Sequence, residues 1–502
     1  FNGQFSTNQL VYGLLDHTNF VDHWNFDESG DDLDEKYTIK SIGYFASLQF
    51  SFNDWLYLSS GARYSTSSRL EPKNASIFYP NVQISAVLSE AIPSLRGNKA
   101  INFLKLRANY GSAAKFPDNP FVTRPYLNIA TRNFTTRTGT TYNSNSLSTL
   151  LANPDLKPEL QEDFELGVES KWWNNRINFE LSLYQKISTD QLLFRPLDPS
   201  TGYTNTLINA GNLQNRGIEI NFGIDIIRTR DWKWNFNWLY SLNQSYVYGI
   251  PSSIAQVGIA GYTDLGNIAK NGQPLGVIFG VPLVRYQDAT NPKNPLNGQR
   301  VVGIAGDYIA AQTPGIIGDP NALYRMTFIN TLTWKDLSFR MQWDYTQGGD
   351  IYSVTASNLL ARGVTKDTEF DRIAPVILPG VNVDQKNVAT PNNIQVSATQ
   401  AYFNNGVGAG KPELSVFDAT VIRLREASLS YNIPTKALDK SFIGGISIVL
   451  SGSNLWYFAP NFPQFTNFDP ETSGLGVGNG RGLEFFTGPS SRRYGLTVRL
   501  NF

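Results

Sequence analysis

The chain has 502 residues, 42 basic and 42 acidic, so its formal net charge is zero and it lacks the electrostatic footprint of a nucleic-acid-binding protein. Cysteine is absent, which excludes disulfides, thiolate chemistry and cysteine-held metals together, and no stretch approaches the roughly 18 apolar residues of a membrane helix. Aromatic residues reach 13% while methionine occurs only 2 times, a balance that favours strands over helices and predicts an all-β protein.

The opening "FNGQFSTNQL" does not read as a signal peptide. From there the chain alternates apolar and polar residues, segment after segment. "SIGYFASLQFSF" puts Ile42, Tyr44, Ala46, Leu48 and Phe50 on one face, and "RINFELSLYQK" does the same with Ile177, Phe179, Leu181 and Leu183. "GIEINFGIDII" follows with Ile218, Ile220, Phe222, Ile224 and Ile226, then "WKWNFNWLYSL" with Trp232, Trp234, Phe236, Trp238, Tyr240 and Leu242. "LSFRMQWDY" adds Leu337, Phe339, Met341, Trp343 and Tyr345, and the closing "RRYGLTVRLNF" adds Tyr494, Leu496, Val498, Leu500 and Phe502. Each strand is oily on one face and wet on the other. A phase break at residues 425 to 427 in "RLREASLSYNI" predicts a β-bulge.

The connections sort into two kinds that take turns. "FNDW" (52 to 55), "WNNR" (173 to 176), "RTRD" (228 to 231) and "WKDL" (334 to 337) are tight, with modest connections near 89 to 101 and 434 to 444. Long connections rich in Gly, Asn, Pro and Ser lie near 16 to 36, 65 to 76, 112 to 158, 188 to 214, 247 to 321, 347 to 420 and 456 to 490. Compact soluble domains rarely carry such connections, whereas a membrane β-barrel alternates short turns with long outer loops. The count gives about fourteen strands, most of them able to supply the roughly 9 to 11 residues a tilted membrane strand needs. Trp55, Trp172, Trp173, Trp232 and Trp334 beside the short turns fit an interfacial girdle. A transmembrane barrel is therefore expected, its oily face toward lipid and its wet face inward. A soluble β-sandwich or propeller edge is the alternative.

Eight stretches, in order along the chain, resemble the C-terminal half of SusC-type TonB-dependent transporters. They are "YLSSGARYSTSSRL" (57 to 70), "FLKLRANYG" (103 to 111), "NPDLKPE" (153 to 159), "NAGNLQNRGIEI" (209 to 220), "RLREASLSYNIP" (423 to 434), "SGSNLW" (451 to 456), "FDPE" (468 to 471) and the closing "RRYGLTVRLNF". The resemblance implies the last fourteen or so strands of a barrel of about 22 strands with a plugged lumen. On that reading residues 1–502 are a barrel part whose plug and TonB-contacting segment lie elsewhere, and the terminal Phe strand is the signal read by the barrel assembly machinery. It further implies an outer-membrane location, lipid contact, a SusD-like surface lipoprotein as a lid, and import of an oligosaccharide or peptide. A passive porin and a surface adhesin or carbohydrate-binding β-protein are the other classes.

No catalytic constellation is evident. His17 and His23 are the only histidines, no G-x-S-x-G occurs, and "NNGVGAGKPEL" and "LGVGNGRG" miss the phosphate-loop and dinucleotide spacings. The acidic run "DESGDDLDE" offers Asp27, Asp31, Asp32 and Asp34 to a structural calcium ion, against the alternative of a solvated acidic loop. No other cofactor is expected. Tyr126, Phe134, Tyr142, Tyr203, Tyr262, Tyr402, Phe403, Phe465, Phe485 and Phe486 in the long connections are candidate stacking groups for sugar rings or peptide side chains, or else pack loop against loop. Arg107, Asn109, Glu165, Glu219, Asp225, Arg340 and Asp344 are expected to line a hydrated lumen or to touch a plug.

Overall fold

A computed structural model describes residues 2–6, 36–262, 264–404, 411–434, 443–472, 474 and 480–501. Its frame is one antiparallel sheet of 14 strands, each paired with its sequence neighbours. The strands are β1 (Asn2–Ser6), β2 (Lys36–Phe52), β3 (Leu56–Ser67), β4 (Ser76–Val87), β5 (Ile101–Lys115), β6 (Glu159–Trp172) and β7 (Ile177–Thr189). They continue with β8 (Asn212–Arg228), β9 (Trp232–Tyr248), β10 (Tyr324–Trp334), β11 (Leu337–Gln347), β12 (Val421–Ile433), β13 (Gly445–Phe458) and β14 (Arg493–Asn501). The strand count matches the sequence reading, and so does the alternation of short and long connections, except that the connection after β3 (68–75) is shorter than the one after β4 (88–100).

Two of the short turns are built on Asn and Asp residues that accept a left-handed backbone. Asn53 and Asp54 sit at φ 46° and 55°, and Asn174 and Asn175 at 55° and 60°; Asn and Asp tolerate this region better than most residues. At the same rim Trp232 and Trp334 face each other across β9 and β10 with ring centroids 5.8 Å apart, and Lys335 Nζ lies 5.7 Å from the Trp334 ring.

Register decides which side chains share a face. One row runs Phe52, Leu56, Ala86, Leu106, Val168, Leu181, Ile220, Tyr240, Met326, Tyr345, Ile422, Phe458 from β2 to β13, and is apolar or aromatic throughout. The adjacent row on the opposite face runs Lys105, Glu169, Glu180, Asn221, Leu239, Thr327, Asp344, Arg423, Tyr457 from β5 to β13. Exposure inverts the soluble pattern: Tyr44 is 70% and Leu48 62% exposed, whereas Arg423 is 1% exposed. Ile220 and Phe236 are only half-buried, and Leu500 is 45% exposed, so none of the three is packed into a dry interior.

The compact apolar clusters lie elsewhere, in the long connections and the strand ends that carry them. One joins Leu70, Ala75, Val122, Leu156 and Leu207, drawn from the connections that follow β3, β5 and β7. Another joins Ile351, Ala356, Val421, Ala459, Phe462 and Phe468. These connections carry small sheets of their own, including a four-stranded one (Val257–Tyr262, Leu265–Ala269, Val277–Gly280, Gly315–Gly318) and the eight-residue helix Val354–Ala361. Together they form a crown on one rim of the wall.

Candidate functional site

The polar face of the wall is the candidate site, and it carries two charged clusters. The first is centred on Arg107 of β5. Its Nη2 donates to Glu165 Oε1 at 2.9 Å, and its Nη1 donates to Glu169 Oε1 at 2.7 Å and to Glu180 Oε1 at 3.0 Å. Lys105 Nζ joins the same Glu169 oxygen at 3.3 Å. The strands make this possible because Arg107 stands opposite Gly167, whose missing side chain leaves a bed for the guanidinium. Asn109 stands opposite Glu165, and Glu219 is two strands further on, opposite Ser182 and Ser241.

The second cluster is built by the bulge. Pairing jumps between Gln342 and Trp343 so that Arg425 has no opposite residue on β11, at the position the phase break predicts. The extra residue lets Arg423, Arg425 and Glu426 all serve the polar face. Arg340 Nη1 donates to Glu426 Oε2 at 2.9 Å, and Arg425 Nε donates to Asp344 Oδ2 at 2.6 Å. Asp344 also accepts from Thr327 Oγ1 and Gln342 Nε2, each at 3.0 Å. Asp225 is separate from both clusters and accepts from Asn235 Nδ2 at 3.0 Å.

From this cluster, ion pairs reach up into the crown. Arg425 Nη2 grips both oxygens of Glu471, at 3.0 and 2.9 Å, and Arg423 forms a bidentate pair with Asp469 while its guanidinium lies 5.2 Å from the Tyr457 ring centre. Burial alone would raise the Asp469 pKa, but the Arg423 hydrogen bonds and charge more than offset it and hold the carboxyl below its ordinary range. Two of the resemblance stretches, "RLRE" and "FDPE", are thus a lock between wall and crown.

A second tie is Glu484, fully buried. Its Oε2 accepts from Ser353 Oγ at 2.7 Å and from the Thr355 amide at 2.9 Å, and its Oε1 accepts from the Thr487 amide at 2.6 Å. Burial pushes its pKa up, and the donors from Thr355, Thr487 and Ser353 pull it down further, leaving it lowered. The carboxylate sits at the start of the helix Val354–Ala361, whose N-terminal dipole favours negative charge.

The candidate aromatics do not converge on one place. Tyr262 and Phe485 meet edge-on at 5.4 Å, with Tyr352 beside them. Tyr402 and Phe403 form a separate group with Phe370, and Arg372 lies 4.8 Å from the Phe403 ring centre. Burial, with Asp367 nearby, pushes the Tyr402 hydroxyl up to about 12. Phe465 is beside Phe462 and Phe468 in a pocket of about 540 Å³, while Tyr126 packs on Phe121 at 5.5 Å. Tyr203 is half-buried in its own turn and Phe486 is 70% exposed. Phe134 and Tyr142 are backbone neighbours in the hairpin Leu127–Thr135 and Thr141–Leu147. His17, His23, Asp27, Asp31, Asp32 and Asp34 lie outside the described residues. Among the described residues no group of three or more His, Cys, Asp or Glu side chains could hold a metal ion.

Where wall and crown meet, a cavity of about 750 Å³ opens, lined by Arg325, Thr327, Asp344, Asp350, Arg425, Glu471 and Arg481 among others. Sequence reasoning found Asp344 but missed the arginines. The alternation that carries Arg325 on β10 and Arg425 on β12 was legible, and the convergence of both with Glu471 and Arg481, more than forty positions further on, was not.

A family model described as TonB dependent receptor-like, beta-barrel matches residues 1–360. TonB-dependent receptor P26 of Formosa agariphila is 26% identical over 519 aligned positions, covering 98% of this chain and 49% of that protein. TonB-dependent receptor P3 of the same organism is 23% identical, covering 92% of this chain and 45% of its own length. The chain therefore spans about half the length of the curated relatives it matches. Among solved structures, the RagAB peptide transporter has a similar fold, with a TM-score of 0.69 at 19% identity over 95% of this chain and 49% of that one.

Proposed function

Because the chain belongs to the TonB-dependent receptor-like β-barrel family of the bacterial outer membrane, we propose that it forms part of the wall of a transporter that imports large nutrients, oligosaccharides or peptides, under TonB drive. The observation that carries this reading is the pair of opposed rows, apolar or aromatic from β2 to β13 on one face and, Leu239 apart, charged or polar from β5 to β13 on the other. Such a wall suits lipid outside and a hydrated path inside, and its backbone groups are satisfied by sideways pairing. Residues 1–502 are the C-terminal part of the cylinder, with a plug and a TonB-contacting segment supplied by the remainder of the polypeptide; the doubled length of the relatives supports this. The crown faces outward and is closed by a SusD-like lipoprotein lid. The process is transport rather than bond-making.

Uptake by cells carrying the full-length gene and its lid protein tests the reading. Labelled oligosaccharides or peptides should accumulate, and accumulation should stop when TonB is deleted. Uptake that persists without TonB, with ligand-independent conductance in bilayers, would mark a passive porin. Recovery of the full-length protein without detergent would mark an adhesin.

A further inference from the structure

The cavity between wall and crown has a donor surplus. Arg325 projects from the polar face of β10, opposite Ser241 and Thr346, and Arg481 comes from the last long connection. Among the described residues neither guanidinium has a hydrogen-bond or ion-pair partner. Each carries five N–H donors in a planar fork and no acceptor.

Apart from Asp350 Oδ1, the carboxylate oxygens in the same cavity are already engaged. Both Asp344 oxygens accept, Oδ1 from Thr327 and Gln342 and Oδ2 from Arg425. Both Glu471 oxygens are held by Arg425, and Asp350 Oδ2 accepts from the Asp319 amide at 2.8 Å. Gly348, Gly349 and Gly482, at φ 70°, 85° and 68°, leave part of the lining without side chains. At about 750 Å³ the space falls within the roughly 300–1,000 Å³ of ligand pockets.

We propose that this cavity is a subsite for a carboxylate of the cargo, held by the Arg325 and Arg481 forks. The inference rests on the import reading and narrows it to cargo with an anionic group, either a peptide's C-terminal carboxylate or a uronic acid of an oligosaccharide. A planar carboxylate accepts two parallel N–H bonds from a guanidinium, a geometry that a neutral hydroxyl does not match.

The test uses the full-length transporter with its lid protein in TonB-competent cells. The probes are a hexapeptide with a free C-terminus and its amidated twin, and an oligo-uronate with its carboxyl-reduced neutral twin. The native protein should favour the charged member of one pair, and that pair identifies the source of the carboxylate. Arg325→Gln with Arg481→Gln should weaken binding of that member about tenfold or more, the loss of at least one charge-assisted hydrogen bond, and leave its neutral twin unchanged. Arg325→Lys with Arg481→Lys should fall between, because charge remains while the fork is lost.

Equal treatment of both members by the native protein overturns the subsite while leaving TonB-dependent import intact. Equal losses for charged and neutral probes, or poor assembly of the variants, would assign the arginines to contacts within the polypeptide and also overturn it. Failure of the native protein to take up any probe in a TonB-dependent way removes the import reading itself.

Discussion

Arg423 and Asp469, 46 positions apart, form a bidentate ion pair in which the two side chains are only 1% and 5% exposed. The pair fastens the last long connection to β12 at the foot of the crown. Removing one partner leaves the other charged and buried, which typically costs about 3–5 kcal/mol. Arg423→Ala should therefore loosen the connection between β13 and β14, read as faster cleavage there by an added protease. The double change Arg423→Met with Asp469→Leu should recover much of the loss, because no uncompensated charge remains.

Acid should act on the same region with a fixed sign. Asp469 and Glu484 both have pKa values lowered in the folded protein, so each contributes stability that is present above its unfolded value and is lost as pH falls through its folded one. The crown should hold its protease resistance down to about pH 4 and lose it progressively below, where ordinary carboxylates protonate. Glu484→Gln should remove part of that dependence. A resistance profile that rises on acidification would contradict the assignment.

Gly167 is the test of the first charged cluster. A methyl group there would stand 2.5 Å from Arg107 Nε, so Gly167→Ala must push the guanidinium off its three glutamates. Overpacking of this kind costs about 1–3 kcal/mol, and the melting midpoint of the detergent-extracted full-length protein should drop accordingly. Gly111, on the same strand as Arg107, has open space beside it and serves as the control.

Facing is tested by two neighbouring positions on β8. Ile220 lies in the apolar row and Asn221 in the polar one. Ile220→Arg should hinder assembly into the membrane, at a cost of about 2–4 kcal/mol near the bilayer centre. Asn221→Arg should be tolerated. Heat-modifiable migration of the folded barrel on gels distinguishes the outcomes, and equal tolerance of both would argue against a lipid-facing surface.

The wall was legible because its physics is local. A two-residue period fixes which face each side chain takes, and turns such as "FNDW" and "WNNR" announce themselves through Asn and Asp, residues at ease at positive φ. Even the bulge at Arg425 left a visible break in phase. The crown was not legible in the same way. Residues 247–321 read as one long connection, yet they contribute all four strands of a small sheet, each six residues or fewer and interrupted by glycine. The locks that hold it, Arg423 to Asp469 and Ser353 to Glu484, join residues 46 and 131 positions apart, and pairing over such distances leaves no periodic trace. The candidate aromatics show the same limit: Tyr262 and Phe485 were singled out separately, but only the fold brings them into contact.

The cluster of Leu70, Ala75, Val122, Leu156 and Leu207 stitches together the connections that follow β3, β5 and β7. Three hairpins of the wall are thereby riveted together at one rim once their tips condense. A folded knot of this size, edged with polar backbone, cannot be drawn back through hydrocarbon. Withdrawal of any one hairpin would require undoing the knot shared by all three, so retention in the membrane becomes a collective property rather than a sum of separate strand affinities.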